Sequence, residues 1–151
     1  MIQPNKILVI RFSSLGDLIL TSPIFRELRR IFPGANLNLL TSVGFGDVLD
    51  NNPHLDRIIK HPRKENFEQL NQLIEELQAE EFDLIYDAHR SMRSRWIVSR
   101  LTAFGMKRKP AVWKIDKRTV NRKLLIHLGW NRLQQALSQR EQWLLPLKPH
   151  A

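Results

Sequence analysis

The sequence predicts an α/β fold in which a parallel sheet is flanked by helices. Short apolar runs typical of buried strands, such as Ile7–Ile10 and Phe82–Tyr86, alternate with segments of helical periodicity. Asn66–Glu80 is the clearest helix, because its apolar residues recur at helical spacing and so share one face. Strands that alternate with helices in this way form βαβ units around a parallel sheet.

The other elements are predicted in chain order from the same periodicities. The expected strands are Lys6–Phe12, Asn36–Thr41, Arg57–Lys60, Phe82–Tyr86 and Lys109–Trp113. A helical pattern follows Ser13–Asp17; Pro23 should kink or restart it, and Pro33-Gly34 should end it. Further helices are expected over Gly44–Asn51, over Ser91–Phe104 with Gly105 just beyond its end, and, interrupted near Gly129, over Thr119–Leu145.

A chain of 151 residues is long enough for one domain with a substantial core. We expect that domain to cover residues 1–145 and residues 146–151 to begin a linker. The longest aliphatic run is too short to cross a bilayer, and no signal peptide is recognisable, so a cytoplasmic protein is expected. The absence of cysteine excludes disulfides and thiolate chemistry.

The positive charge is concentrated in one segment. The formal net charge is +9, and residues 88–123 contain twelve Lys and Arg against the single acid Asp116. The rest of the chain has twelve basic and fourteen acidic residues, which nearly balance. Such a segment indicates a local anionic partner, and nucleic acid, anionic lipid head groups and phosphorylated sugars all fit it.

Ligands of parallel α/β sheets bind outside the carboxyl ends of the strands, which directs attention to the loop Ser13–Asp17. The backbone N–H groups at the start of the following helix would favour an anion there. Asp17 is placed to take a proton from a sugar hydroxyl. The same spacing from Ser14 to Asp17 is also that of a capping box, which needs no catalysis, so both interpretations stay open.

Three further groups of polar residues follow predicted strands. His89 and Arg90 come directly after the strand that ends near Asp87, on the side of the sheet where ligands are expected. Arg is well suited to bind phosphate or carboxylate there. The other two groups are His61, Arg63 and Lys64, and the basic stretch that contains Lys117 and Arg118. If they lie at the same end of the sheet, they would form an anion-binding wall. The alternative for each is a solvated surface.

Several classes of site are not indicated. The five histidines show no metal-ligand spacing, so no metal is expected. No GxSxG elbow for acyl transfer is present. No signature of a known nucleic-acid-binding fold is visible either, and the four tryptophans are most simply core or interface residues.

The first hundred residues resemble glycosyltransferase family 9, the ADP-heptose:lipopolysaccharide heptosyltransferases. The resemblance begins with Lys6–Asp17 and Thr21-Ser22-Pro23. It continues through Phe32–Asn36, Thr41–Phe45, Asn52–Ile59 and Glu81–Asp87, and it thins after about Lys107. It implies that the chain is the N-terminal, Rossmann-like half of a GT-B fold, the half that binds the lipopolysaccharide-core acceptor.

The resemblance also implies roles for individual residues. Asp17 would be the catalytic base of an inverting transfer. Ser13, Ser14 and Gly16 would shape the site near the donor phosphates and sugar. The acceptor's acidic groups would meet His61, Arg63, Lys64, Lys117 and Arg118. His89 and Arg90 depart from the small or amide residues expected there, which puts the identity of the acceptor in doubt.

The donor would be ADP-heptose or a related nucleotide sugar, and no cofactor is implied. Its binding domain is absent from this sequence, so the chain is expected to be an incomplete enzyme of lipopolysaccharide biosynthesis. Peripheral contact with the inner membrane and a homodimer are further expectations. Two alternatives remain: a basic α/β module that binds nucleic acid or an anionic membrane surface without catalysis, and a catalytically silent relic.

Overall fold

A computed structural model describes residues 3–103, 109–115, 141 and 144–150 of the chain. Its strands are β1 (Lys6–Ile10), β2 (Asn36–Ser42), β3 (Arg57–His61), β4 (Leu84–Asp87) and β5 (Ala111–Lys114). Its α-helices are α1 (Leu15–Leu20), α2 (Ser22–Ile31), α3 (Phe67–Ala79) and α4 (Met92–Leu101). Two 3₁₀ helices cover Gly46–Leu49 and Leu145–His150.

The five strands form one parallel sheet in the order β3-β2-β1-β4-β5. This confirms the predicted Rossmann-like α/β class. β1 is the central strand, and Val9 lies opposite Leu39 of β2 on one side and Tyr86 of β4 on the other. Because all strands run the same way, every loop that follows a strand emerges at one edge of the sheet, the carboxyl edge.

Side chains of β1 alternate between two cores, as expected for a strand covered on both faces. Ile7 and Val9 pack in a cluster that contains Phe25 of α2. Leu8 and Ile10 pack on the other face, in a cluster built from α3 and α4. All four β1 residues are at most 1% exposed, so the base of the first loop is firmly held.

The local predictions differ from the structure mainly at element ends. Pro23 restarts the first helix as predicted: α1 and α2 are separated by Thr21, and Pro23 stands in the first turn of α2, where its missing N–H costs nothing. The helix expected over Gly44–Asn51 is only a 3₁₀ turn at Gly46–Leu49. Gly105 and most of the pattern predicted over residues 119–145 lie outside the described residues.

The C-terminal stretch of the described chain packs against the core. Leu147, within the stretch expected to begin a linker, is 2% exposed and packs in the cluster of Ile7 and Val9. The division at residue 145 stays a prediction. Among the described residues, no helix has the length and apolar character needed to cross a membrane.

Candidate active site

The candidate site lies where the strand order reverses at the carboxyl edge. β1 is followed along the chain by β2 on one side, whereas β4 lies on its other side. From this point the chain continues to opposite sides of the sheet after β1 and after β4, and open parallel sheets bind ligands in the crevice expected at such a reversal. The loops after β1 and β4 contain Ser13 and Ser14 on one side and His89 and Arg90 on the other.

Asp17 stands in the first turn of α1 and is tied to the helix N-cap. Its Oδ2 accepts hydrogen bonds from the backbone N of Ser14 at 3.3 Å and from Ser14 Oγ at 3.2 Å. Ser14 is in extended conformation at the N-cap, which is the geometry of a capping box. The side chain of Asp17 nevertheless remains 31% exposed. The capping role is therefore present, and a ligand can still reach the carboxylate.

Arg11 forms an ion pair with Asp17 and also contacts the β4 loop. Its Nη2 lies 2.5 Å from Asp17 Oδ2, and its Nη1 donates to the carbonyl oxygen of Ala88 at 2.5 Å. Arg11 is 5% exposed. Since Ala88 directly follows β4, one buried guanidinium joins the two loops that border the crevice.

These contacts determine the charge on Asp17. Partial burial favours the neutral acid, but the Ser14 backbone N–H and the Arg11 guanidinium outweigh it and hold the pKa of Asp17 below its ordinary value. Burial lowers the pKa of Arg11 despite the nearby Asp17 and Asp87 carboxylates. At neutral pH the crevice therefore presents an ionised carboxylate backed by a cation.

The other predicted residues of the first loop lie next to Asp17 at the carboxyl edge. Ser13 is half-buried, whereas Ser14 and Gly16 are exposed. A Cβ at Gly16 would meet no atom within 4 Å, so the space beside this turn is open to a ligand.

The β4 loop is shaped by Asp87, which is 1% exposed. Its Oδ1 accepts from the backbone N–H groups of His89 and Arg90 at 3.1 and 2.8 Å, and its Oδ2 accepts from Ser94 Oγ at 3.1 Å. Arg90 takes a left-handed backbone conformation with φ of 50°, and its Nη1 donates to the carbonyl of Ile115 at 2.9 Å. Asp87 thus fixes the turn that carries His89 and Arg90.

The β3 loop contains an ion-pair cluster centred on Glu65. Glu65 pairs with His61 through its Oε2 and with Arg93 Nε through its Oε1, the latter at 2.5 Å. The Arg93 guanidinium also stacks on the ring of Phe12, 4.0 Å from its centroid. His61 therefore faces a carboxylate of the protein itself, while Arg63 and Lys64 are exposed beside it.

The predicted residues thus fall into three neighbouring loops of one edge. Phe12 connects two of them, because its ring also meets the ring of His89 edge-on at 5.8 Å. Lys117 and Arg118 lie outside the described residues, so their proposed share in an anion-binding wall stays a prediction.

Comparison with known proteins connects this geometry to one group of enzymes. The chain is 25% identical over 156 residues to lipopolysaccharide heptosyltransferase 1 of Pseudomonas aeruginosa, a match that covers 93% of this chain. It is 28% identical over 111 residues to the Escherichia coli K12 protein of the same name, covering 68% of this chain. The predicted resemblance to the heptosyltransferases is confirmed. No family model matches the chain.

Two solved glycosyltransferase structures have the same fold as this chain. A family 9 glycosyltransferase from Veillonella parvula superposes with a TM-score of 0.73 over 97% of this chain and 42% of its own, at 18% identity. The E. coli heptosyltransferase WaaC with ADP-2-deoxy-2-fluoro heptose gives a TM-score of 0.67 over 96% of this chain and 48% of its own, at 23% identity. At these identities the likeness establishes a shared fold.

The chain spans less than half of the heptosyltransferases that it matches. It covers 44% of the Pseudomonas protein and 34% of the E. coli K12 protein. The resemblance therefore concerns a partial, N-terminal-like portion, as the sequence predicted.

Three residues that organise the site were not singled out from the sequence. Arg11, Glu65 and Asp87 each bind side chains or backbone groups from another loop or helix. The available signal was weak: Arg11 and Asp87 are charged residues that come directly after, or end, a buried strand. Burial at such a position requires a partner, although the pattern does not identify it.

Proposed function

We propose that this chain is the acceptor-side domain of an inverting glycosyltransferase. It would transfer heptose from ADP-heptose, or a related nucleotide sugar, to the lipopolysaccharide core or another anionic glycolipid. The observation that carries the proposal is the position of Asp17: an ionised, reachable carboxylate at the strand-order reversal of a heptosyltransferase-like fold.

Asp17 would act as the general base. The acceptor hydroxyl oxygen attacks the anomeric carbon of the donor from the face opposite the diphosphate. As the new glycosidic bond forms, the bond from that carbon to the diphosphate oxygen breaks, ADP leaves, and the hydroxyl proton passes to Asp17. Because its low pKa makes Asp17 a weak base, proton transfer belongs late in the step, when the hydroxyl oxygen has become acidic.

The neighbouring residues would bind the two substrates. Ser13, Ser14 and Gly16 would face the donor at the mouth of the first loop. The acidic groups of the acceptor would meet the exposed cations Arg63 and Lys64, together with Arg90 and His89 across the crevice. Arg is suited to this because its guanidinium binds phosphate and carboxylate through two N–H groups. Lys117 and Arg118 would complete the acceptor side, whereas His61, which pairs with Glu65, would hold the loop that contains Arg63 and Lys64.

The domain alone would not catalyse transfer at a useful rate. Direct displacement requires donor and acceptor to be held in line, and positioning of this kind contributes a large part of the rate enhancement. The donor-binding domain of a family member would supply the second half of the cleft. The assembled enzyme would work in the cytoplasm, at the inner membrane that carries its glycolipid acceptor.

A chimera tests the proposal. This chain is fused to the donor domain of a heptosyltransferase, and heptose transfer from ADP-heptose to lipopolysaccharide-core acceptor is measured. Asp17→Asn should abolish transfer while ADP binding and the folded state remain, since Asn keeps the shape of the side chain but takes no proton. Arg26→Gln, on the exposed side of α2, is the matched control and should leave transfer intact.

Either of two results would refute the proposal. A folded chimera that binds ADP-heptose but transfers nothing would reject this acceptor class. Transfer undiminished in Asp17→Asn would reduce Asp17 to its role as a helix cap.

A further inference from the structure

We propose that the outer groove between α3 and α4 docks the domain on an anionic phospholipid surface. Three large apolar side chains are exposed at this place: Phe67 at 67%, Met92 at 88% and Trp96 at 44%. We call these three residues the groove patch. Single exposed apolar residues are ordinary, but a cluster of large ones marks an interaction surface.

The two helices that bear the groove patch lie side by side and begin at the same edge. Near their starts, Arg93 of α4 donates to the carbonyl of Pro62 at 3.1 Å and pairs with Glu65, just before α3. Near their ends, Gln78 Nε2 donates to the carbonyl of Arg100 at 3.1 Å. Both helices therefore run from the carboxyl edge in the same direction.

The residues of the groove patch lie on the facing flanks of these helices. Phe67 precedes Gln78 by about three helical turns, so it lies on the flank of α3 that meets α4. On α4, Arg93 and Arg100 mark the flank toward α3, and Trp96 lies between them at helical spacing. Met92 is one turn before Trp96, at the start of the helix. The groove patch is thus one surface at the carboxyl edge.

The charges around this surface favour an anionic partner. Arg63 and Lys64 precede α3, and Arg95 lies near the start of α4; all three are exposed. Glu65 is already paired with His61 and Arg93, which leaves Glu68 as the exposed acid at this end of α3. The other exposed acids of α3, such as Glu75 and Glu76, lie two turns or more farther from the carboxyl edge.

This composition suits a bilayer surface better than a nucleic acid. Trp and Phe sit at the level of lipid head groups, where an apolar body and a polar surrounding are both available. Lys and Arg beside them bind anionic head groups, each adding to the attraction. A nucleic-acid groove would need the cations to follow a phosphate backbone, whereas here they lie near the ends of two helices that expose large apolar side chains.

The inference deepens the proposed function, because a membrane at this edge would bring a glycolipid acceptor to the loops that contain Asp17. Membrane binding is measured without any transfer reaction, so a failure of this inference can be told apart from a failure of the proposed function. The full chain is incubated with vesicles of phosphatidylcholine that contain phosphatidylglycerol, and with vesicles of phosphatidylcholine alone. Bound protein is quantified by co-sedimentation.

We expect binding to the anionic vesicles only. Phe67→Gln/Met92→Gln/Trp96→Gln should lower the partition coefficient by about tenfold or more, because its apolar contacts with the lipid are lost. Arg63→Gln/Lys64→Gln should lower it by roughly fivefold for each cation removed. Leu20→Gln/Val48→Gln, which changes comparably exposed apolar residues elsewhere, should bind as the unaltered chain does.

Four outcomes would overturn the inference. One is no binding of the unaltered chain to anionic vesicles. Another is undiminished binding of the triple variant, shown by circular dichroism to be folded. The third is that the groove patch mediates only protein–protein contact. In that case the unaltered chain forms a dimer by light scattering, the triple variant does not, and neither of the two binds vesicles. Binding to unrelated DNA without vesicle binding would assign the basic segment to nucleic acid instead.

Discussion

The guanidinium of Arg11 lies 2.5 Å from the carboxylate of Asp17 and 2.5 Å from the carbonyl oxygen of Ala88, so one buried side chain connects both sides of the crevice. The link joins a residue just past β1 to a residue just past β4. Orientation and charge of Asp17 therefore depend on a residue that no ligand needs to touch.

The first prediction concerns this ion pair. In Arg11→Met the pKa of Asp17 should rise, because the stabilising cation is gone while the partial burial of the carboxyl remains. A carbon-detected NMR titration of the Asp17 carboxyl measures it directly. In the active chimera, the acid limb of the pH–rate profile should move to higher pH, since Asp17 must be ionised to accept a proton. Arg26→Met is the control, and an unchanged Asp17 titration in Arg11→Met would contradict the prediction.

The second prediction concerns Glu65. Glu65→Gln leaves the largely buried Arg93 without its carboxylate, so the free energy of unfolding should fall by about 3 kcal/mol. Urea denaturation measures the change. Glu75→Gln, on the exposed face of α3, should change stability by less than about 0.5 kcal/mol. Equal effects of the two substitutions would show that the cluster of His61, Glu65 and Arg93 does not stabilise the fold.

The third prediction concerns acid stability at Asp56. Partial burial raises the pKa of this carboxyl, but the N–H of Leu37 at 2.7 Å and the Arg29 guanidinium at 2.6 Å outweigh it, so the pKa is lowered. A lowered folded-state pKa adds stability above the unfolded-state pKa, and that stability disappears as the pH falls through the folded value.

Asp56→Asn should therefore destabilise the protein near neutrality and lose its effect in acid. Because the Asp56 side chain is 41% exposed, we expect a difference below about 1 kcal/mol. Unfolding free energies measured from about pH 6 down to about pH 2 should converge for the two proteins. Glu76→Gln is a control on an exposed face, and a constant difference across that range would exclude the mechanism.

The fourth prediction concerns the β4 loop. Asp87→Asn replaces one acceptor oxygen by an amide that donates, so a donor among the Arg90 N–H, the His89 N–H and the Ser94 hydroxyl loses its acceptor. A buried unsatisfied donor costs about 2 kcal/mol, which urea denaturation would detect. Ser94→Ala removes the hydroxyl contact to Asp87 and also the oxygen that accepts from the Ser91 N–H at 2.9 Å, so it should destabilise the start of α4 as well as the loop. Faster hydrogen exchange at the Arg90 amide would locate the change in the loop.

The fold was predictable because its signals are local and repeated. The apolar run in β1 and the one-sided face of α3 each follow from the period of a single element, and their alternation defines the parallel sheet. Element ends were less predictable. Gly44–Asn51 was expected as a helix, but only a short 3₁₀ turn forms, in a segment where Gly46 sits tightly against Lys60 and Ile58 of β3.

The site was predictable only as far as the loops that contain it. Asp17 could be selected because strand, turn and helix follow one another in sequence. Its partner Arg11 is close in sequence, but the contact from Arg11 to Ala88 joins residues 77 positions apart and depends on β1 and β4 being neighbours. Likewise, the periodicity of α4 shows that Arg93 is on its surface, whereas its pairing with Glu65 depends on the path of the β3 loop.

The position of Arg11 beneath Asp17 also makes the crevice selective for the chemistry of whatever enters it. A ligand that pulls the Asp17 carboxylate toward itself weakens the contact between this carboxylate and Arg11. Because Arg11 is shielded from water, water cannot readily replace that contact. A molecule that donates a hydrogen bond to the carboxylate where it stands leaves the contact to Arg11 intact. A sugar hydroxyl meets this condition, whereas an apolar molecule of the same size does not.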